Sequence, residues 1–262
     1  MPRRVGIGHQ NFEELISKKL FYIDKTDFIK EWWENNDVVT LLTRPRRFGK
    51  TLNLSMLENF FSVKHAQKGY LFQNLSIWRE QAYQELQGTY PVIFLSFAEV
   101  KETSFVNTRE KICQLIKNLY NTFDFLLDGD YLNEDEKKSY REISVDMKDY
   151  LASVSLRALS DYLMRYYGKK VIILLDEYDT PMLEAYVGGY WDELISFMRN
   201  LFNSTFKTNP FLEKALMTGI TRVSKESVFS DLNNMEVITT ASEKYEEAFG
   251  FTQEEILDAL KE

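Results

Sequence analysis

Apolar and polar positions along this chain fall into blocks whose period switches between that of a helix and that of a strand. From Thr26 to Asn36, Phe28, Ile29, Trp32 and Trp33 recur at helical spacing, with Thr26 placed as the N-cap. Val38-Val39-Thr40-Leu41-Leu42 follows, a β-branched apolar run of the kind that makes a strand buried on both faces of a parallel sheet. After the segment Thr43 to Thr51, the residues Leu52, Met56, Leu57, Phe60 and Phe61 share one helical face, so the order predicted is strand, loop, helix. A second strand is predicted over Tyr90 to Phe97, announced by Gly88 and with Pro91 near its start, where a missing donor is tolerated. A helical face through Ile112, Leu115, Ile116, Leu119 and Phe123 comes next, then a charged linker from Asn133 to Lys138. Another helical face, Leu156, Leu159, Leu163 and Tyr166, ends at Gly168.

Val171 to Leu175 predicts a third strand running into Asp176-Glu177, and Thr180-Pro181 reads as an N-cap followed by proline at the first helical position. Leu194, Ile195, Met198, Leu201 and Phe202 continue as a buried helix face, Lys214 to Thr218 predicts a fourth strand, and Glu236 to Thr240 a fifth. Strands separated by helices predict an α/β fold, a doubly wound and mainly parallel sheet of about five strands. The organisation expected is an N-terminal segment over 1–36 and a core over 37–240, with a helical insertion at about 101–168. A C-terminal helical module is then expected to start within 241–262 and to be cut short.

Composition narrows the class. The 262 residues are 44% hydrophobic, enough to fill a sizeable core without staples. The single cysteine, Cys113, rules out an internal disulfide framework, and two histidines, His9 and His65, are too few for a Cys/His zinc site. Basic residues open the chain, but Val5 to Gln10 is no apolar signal core and no later run reaches membrane-spanning length, so a soluble, cytoplasmic protein is expected. A net charge of −8 argues against a general nucleic-acid coat and leaves room for a local basic patch at Arg44, Arg46 and Arg47.

The chemistry lies at the strand ends. Phosphate binding needs backbone N–H groups pointing inward at the start of a helix, a lysine for the outer phosphates and a hydroxyl for magnesium. Gly49, Lys50 and Thr51 supply the last three positions of that pattern between a predicted strand and a predicted helix, with Arg46, Arg47, Phe48 and Leu52 completing the cradle. The pattern's first glycine falls on Arg44, which Pro45 biases toward an extended conformation, giving a differently shaped but stiff loop. Asp176 stands at the carboxyl tip of a central strand, where it reaches magnesium through water, and Glu177 beside it suits a general base for the attacking water. Either motif alone also fits an ordinary basic turn or a strand ending in a polar loop; their occurrence together, in this order, favours nucleotide binding. Asp179 either orients Glu177 or caps the next helix. Thr218, at the tip of the fourth strand, is placed to sense the attacking water or terminal phosphate, with Thr221 as its alternate, and Arg222 and Lys225 are candidates to stabilise transition-state charge.

These residues carry a resemblance. The runs Phe21 to Thr26, Thr43 to Leu57, Leu175 to Pro181, Thr218 to Lys225 and Phe249 to Thr252 are similar to blocks of the bacterial predicted AAA-ATPase-like family, covering nearly the whole chain. The resemblance implies a P-loop NTPase of the additional-strand, catalytic-glutamate division, in which an arginine-led phosphate loop is usual. It further implies ATP and Mg2+ as ligands, and residues of Gly6 to Phe12 and Tyr22 to Asp24 bordering the adenine. Members commonly continue into a nuclease-like PD-(D/E)XK domain, which is not expected in this chain, so nuclease or nucleic-acid partners enter only by analogy. The function expected is magnesium-dependent ATP binding and hydrolysis. A non-hydrolysing ATP-dependent switch or interaction module and a kinase-like phosphotransferase stay open, whereas a GTPase is disfavoured because no Asn/Thr-Lys-x-Asp segment is present.

Overall fold

A computed structural model describes residues 4–6, 8–221, 228–229 and 232–261. In chain order, α1 (Phe12–Ser17) and α2 (Asp27–Glu34) precede β1 (Val39–Thr43), and a loop over 44–49 leads into α3 (Lys50–Phe61). Two 3-10 stretches, Val63–Leu71 and Ser76–Arg79, and α4 (Gln81–Leu86) come before β2 (Val92–Ser96). Between β2 and β3 (Val171–Asp176) run α5 (Phe105–Asn121), a 3-10 turn at Asp124–Leu127, α6 (Glu134–Arg141) and α7 (Asp149–Tyr167). The chain continues through α8 (Thr180–Gly188), α9 (Trp191–Phe206), β4 (Leu212–Gly219), β5 (Met235–Ile238) and α10 (Gln253–Ala259).

The strands form one five-stranded parallel sheet in the order β2-β3-β4-β1-β5. β4 is thus inserted between β1 and β3, and its register fixes which residues share an edge. Leu42 lies opposite Thr218 and Thr43 opposite Gly219 on one side, while Leu175 lies opposite Met217 on the other. All three strands therefore end at the same carboxyl edge, the side of open α/β sheets where ligands bind.

The described residues divide into two compact units. The unit holding the sheet comprises Asp37–Thr43 and Ile93–Val237. Alternate strand residues Val39, Leu41, Ile173 and Leu175 join Ile112, Ile116, Leu156, Leu159, Met198, Leu201 and Phe202 of α5, α7 and α9 in its core. Their neighbours on the opposite face, Leu42, Ile172 and Leu174, are equally buried, as parallel strands require. The other unit draws on Met1–Asn36, Arg44–Val92 and Ile238–Glu262. Its interior is aromatic: Phe60 meets Phe61 and Phe72 edge-on, Phe12 stacks on Phe72, and Trp33 lies against Phe61 and Tyr90. Much of the chain's 15% aromatic content is core here.

Local chemistry departs from the sequence expectation at three points. Asn133 to Lys138, read as a linker, begins α6, because the Asn133 side chain accepts from the Glu136 N–H while Glu136 accepts from the Asn133 N–H. This reciprocal capping box starts a helix even where apolar periodicity is absent. Thr26 sits at the N-cap position of α2 but makes no side-chain cap; its hydroxyl donates to Asp24 at 2.7 Å and accepts from the Ile77 N–H. Thr180 is the first residue of α8 and Asp179 its N-cap, again with no side-chain cap bond.

Candidate functional site

The phosphate-loop residues are assembled within one unit. β1 ends at Thr43, and Arg44 to Gly49 turn the chain into α3, whose N-cap is Gly49 at φ +80°. Left-handed backbone falls on Gly49 and on Arg47, at φ +68°, while Arg44 avoids it. Glycine's tolerance is used at the helix entry, Gly49, and is not needed at Arg44. Lys50, a residue only 6% exposed, donates from Nζ to the carbonyls of Arg44 and Pro45, both at 2.9 Å. The loop thus encloses its own lysine. Thr51 and Leu52 follow on the first turn of α3, and Arg46, Arg47 and Phe48 are exposed around the loop.

Arg44 differs from its basic neighbours. Its guanidinium is buried over the Phe249 ring at 5.6 Å from the centroid, with Nη2 3.5 Å from the Tyr245 carbonyl, and burial lowers its pKa from the ordinary arginine value. The C-terminal segment also meets the loop and helix directly. Asn53 of α3 donates to the Ala248 carbonyl at 2.8 Å, and the Gly250 N–H donates to the Phe48 carbonyl at 3.2 Å. Lys25 donates to the Glu247 carbonyl and pairs with Glu255. The sequence pattern did not single out Asn53 or the carbonyls at 245–248 for this role; the neighbouring run Phe249 to Thr252 entered only as a block of the family resemblance. Tyr22 and Asp24 are engaged structurally: the Tyr22 hydroxyl donates to Met56 Sδ, and Asp24 accepts from Thr26 and from the Ser76 N–H.

The acidic residues are assembled in the other unit, at the carboxyl edge of the sheet. Asp176, 1% exposed at the tip of β3, accepts from the Thr218 hydroxyl of β4 at 2.6 Å, a short charge-assisted bond. The Asp176 carbonyl accepts from the Phe97 N–H at 2.9 Å, which pins the strand tip. Glu177 is half-buried and left-handed at φ +50°, and its Oε2 accepts from the Thr180 hydroxyl at 3.1 Å. Asp179 neither orients Glu177 directly nor caps α8: its Oδ2 accepts from the N–H groups of Ile220 and Thr221 and from the Thr221 hydroxyl. Thr221 is thereby committed to Asp179, leaving Thr218 as the strand-tip hydroxyl beside the acids. Arg222 and Lys225 lie outside the described residues.

Among the described residues, no group of three or more His, Cys, Asp or Glu gathers as a metal cage. Magnesium in nucleotide sites needs none, since one carboxylate, a hydroxyl, waters and phosphate oxygens suffice. A buried aspartate carboxylate that accepts from a threonine hydroxyl at a strand tip is of the donor type such a site uses. No helix among the described residues is long and apolar enough to cross a membrane.

An α/β sheet with one strand inserted between the loop strand and the acid strand, and with Asp176 and Thr218 at its carboxyl edge, fits a P-loop NTPase-like domain. The family model for predicted AAA-ATPases matches residues 6–229, and the chain belongs to that family. It is 25% identical over 259 residues to an uncharacterized protein in the vnfD 5′ region of Azotobacter chroococcum mcd 1, covering 97% of this chain and 44% of that relative. The chain thus spans under half the length of the relative it matches. No solved structure matches it.

Proposed function

We propose that this chain binds ATP with magnesium and hydrolyses it. Lys50 and the N–H groups at the start of α3 hold the β- and γ-phosphates, Lys50 exchanging its bonds to the Arg44 and Pro45 carbonyls for bonds to phosphate oxygens. Arg46, Arg47, Phe48, Gly49 and Leu52 line the cradle. The Thr51 hydroxyl and the Asp176 carboxylate would hold the metal, which when bound draws charge from the phosphoryl oxygens. Glu177 takes the proton of the attacking water, Thr218 steadies Asp176 and senses the terminal phosphate, and Arg222 offsets transition-state charge.

The observation that carries this reading is the register of β1, β4 and β3. The strand that runs into the loop, the strand that carries Thr218 next to its end and the strand that ends in Asp176 finish at one edge of one sheet. Family membership supports ATPase-like function in general terms.

The test is phosphate release from ATP with magnesium, with binding read by calorimetry. Lys50→Ala should lose nucleotide binding. Glu177→Gln should keep binding within about threefold while turnover falls by about a hundredfold or more, the signature of an interaction made in the transition state. Normal binding by Lys50→Ala would refute the phosphate loop; binding without turnover in the wild type would leave an ATP-dependent switch in place of the hydrolase.

A further inference from the structure

Asp179 is fully buried two residues beyond Glu177, and no step above uses it. Its Oδ2 accepts three hydrogen bonds from the turn after β4: Ile220 N–H at 2.9 Å, Thr221 N–H at 2.8 Å and the Thr221 hydroxyl at 3.0 Å. Tyr178 grips the same turn from both ends. Its N–H donates to the Thr218 carbonyl at 3.0 Å, and its phenol donates to the Thr221 carbonyl at 2.9 Å. Gly219 lies between them, where a Cβ would stand 2.6 Å from Tyr178 Cε1 and 2.7 Å from Asp179 Oδ1. Among the described residues, Asp179 Oδ1 meets no donor and the carboxylate forms no ion pair.

Burying a carboxylate is expensive, and an apolar residue of similar volume would pack without that cost. What an apolar side chain cannot do is accept two adjacent backbone N–H groups and a hydroxyl at one point. The need for such a fastening lies two residues upstream. Glu177 is a non-glycine residue at φ +50°, a conformation that persists only where its surroundings over-determine it. On one side Glu177 is held by Asp176, fixed to Thr218; on the other by Tyr178 and Asp179, fixed to the turn that begins at Thr218.

We propose that Asp179 is a positioning residue for hydrolysis, locking the turn after β4 to the turn after β3 so that Glu177 keeps its left-handed backbone and Thr218 stays on Asp176. The inference rests on the hydrolysis reading above. Asp179 touches neither nucleotide nor attacking water in this role. It acts through Glu177 and Thr218, so its loss should slow the chemical step and spare nucleotide binding.

The experiment compares the wild type with Asp179→Ala and Asp179→Asn in ATP turnover, ATP calorimetry and amide exchange at Ile220 and Thr221. Asp179→Asn keeps one carbonyl acceptor and serves as the milder variant should the alanine fail to fold. The expected result is a kcat lower by about tenfold in Asp179→Asn and about a hundredfold in Asp179→Ala, with KM and Kd for ATP within about threefold of wild type. Exchange at Ile220 and Thr221 should quicken by about tenfold or more, in step with the loss of bonds to a charged acceptor. Wild-type turnover with unchanged kcat in both variants, a KM that rises as kcat falls, or unaltered exchange at the two amides would overturn the positioning role alone. A wild type that releases no phosphate would overturn the hydrolysis reading and this role with it.

Discussion

Substituting Gly219 by alanine tests how rigidly the two strand-tip turns are fastened. The added methyl would stand 2.6 Å from Tyr178 Cε1, 2.7 Å from Asp179 Oδ1 and 2.9 Å from Asp179 Cγ. Neither side chain has room to yield: both are fully buried and each is hydrogen-bonded to the chain on the far side of Gly219. Overpacking of this kind costs about 1–3 kcal/mol. If Asp179 is pushed off the Thr221 N–H, a bond to a charged acceptor worth about 1.5–3 kcal/mol is lost as well. The expected destabilisation is therefore about 3 kcal/mol, or about 6–12 °C in Tm for a domain of this size. Gly168→Ala is the control. That glycine, the C-cap of α7, sits at φ +68° with nothing within 4 Å of a Cβ, so only left-handed strain of about 1–2 kcal/mol applies. The assay is guanidinium unfolding followed by tryptophan fluorescence, with ATP turnover measured on the same samples. A Gly219→Ala loss below about 0.5 kcal/mol, the size of a neutral surface change, would refute the fastening, as would a loss no larger than that of Gly168→Ala.

Two further outcomes follow from local geometry. Asn133→Ala removes the side-chain half of the capping box that starts α6 and should lower stability by about 1 kcal/mol in urea unfolding; an unchanged midpoint would mean that α6 is held by packing alone. Burial acts to raise the pKa of Glu255, but the Lys25 ammonium and the Thr252 N–H and hydroxyl outweigh it and leave the carboxyl below its ordinary 4.5. A carboxylate depressed on folding contributes stability that is present above its unfolded pKa and lost as pH falls through the folded one. Wild type should therefore lose stability more steeply than Glu255→Gln as pH falls below the ordinary 4.5, and parallel profiles there would sink the assignment.

Much of the sheet was legible in the residues, because a parallel strand buried on both faces must be a short β-branched run. Val38 to Leu42 predicts β1 within one residue, and Val171 to Leu175 predicts β3 up to the aspartate that completes it. The strand, loop and helix around Lys50 were readable for the same reason. Arg44 at the first position of the loop was correctly read as avoiding positive φ, but its burial over Phe249 was not, since that contact joins residues about 200 positions apart. Asn133 was misread because hydrophobic periodicity dominated the reading, while the helix start is encoded in a polar pair three residues apart. Asp179 was read as either orienting Glu177 or capping the next helix, and only the pairing of β3 with β4 shows that its carboxylate has backbone donors in the neighbouring turn.

By itself, the sequence determined which segments are strands, which loop carries a lysine at a helix start, and which strand ends in paired acids. Those are local properties, set by side-chain branching, backbone freedom and period. Only the tertiary structure decided that β4 lies between β1 and β3, that Thr218 meets Asp176, that Asp179 serves the neighbouring turn, and that Asn53 and Arg44 hold the C-terminal segment. Strand order and register are settled by how apolar faces are buried across the whole sheet, and a buried carboxylate or arginine takes whichever donors or rings that packing brings to it.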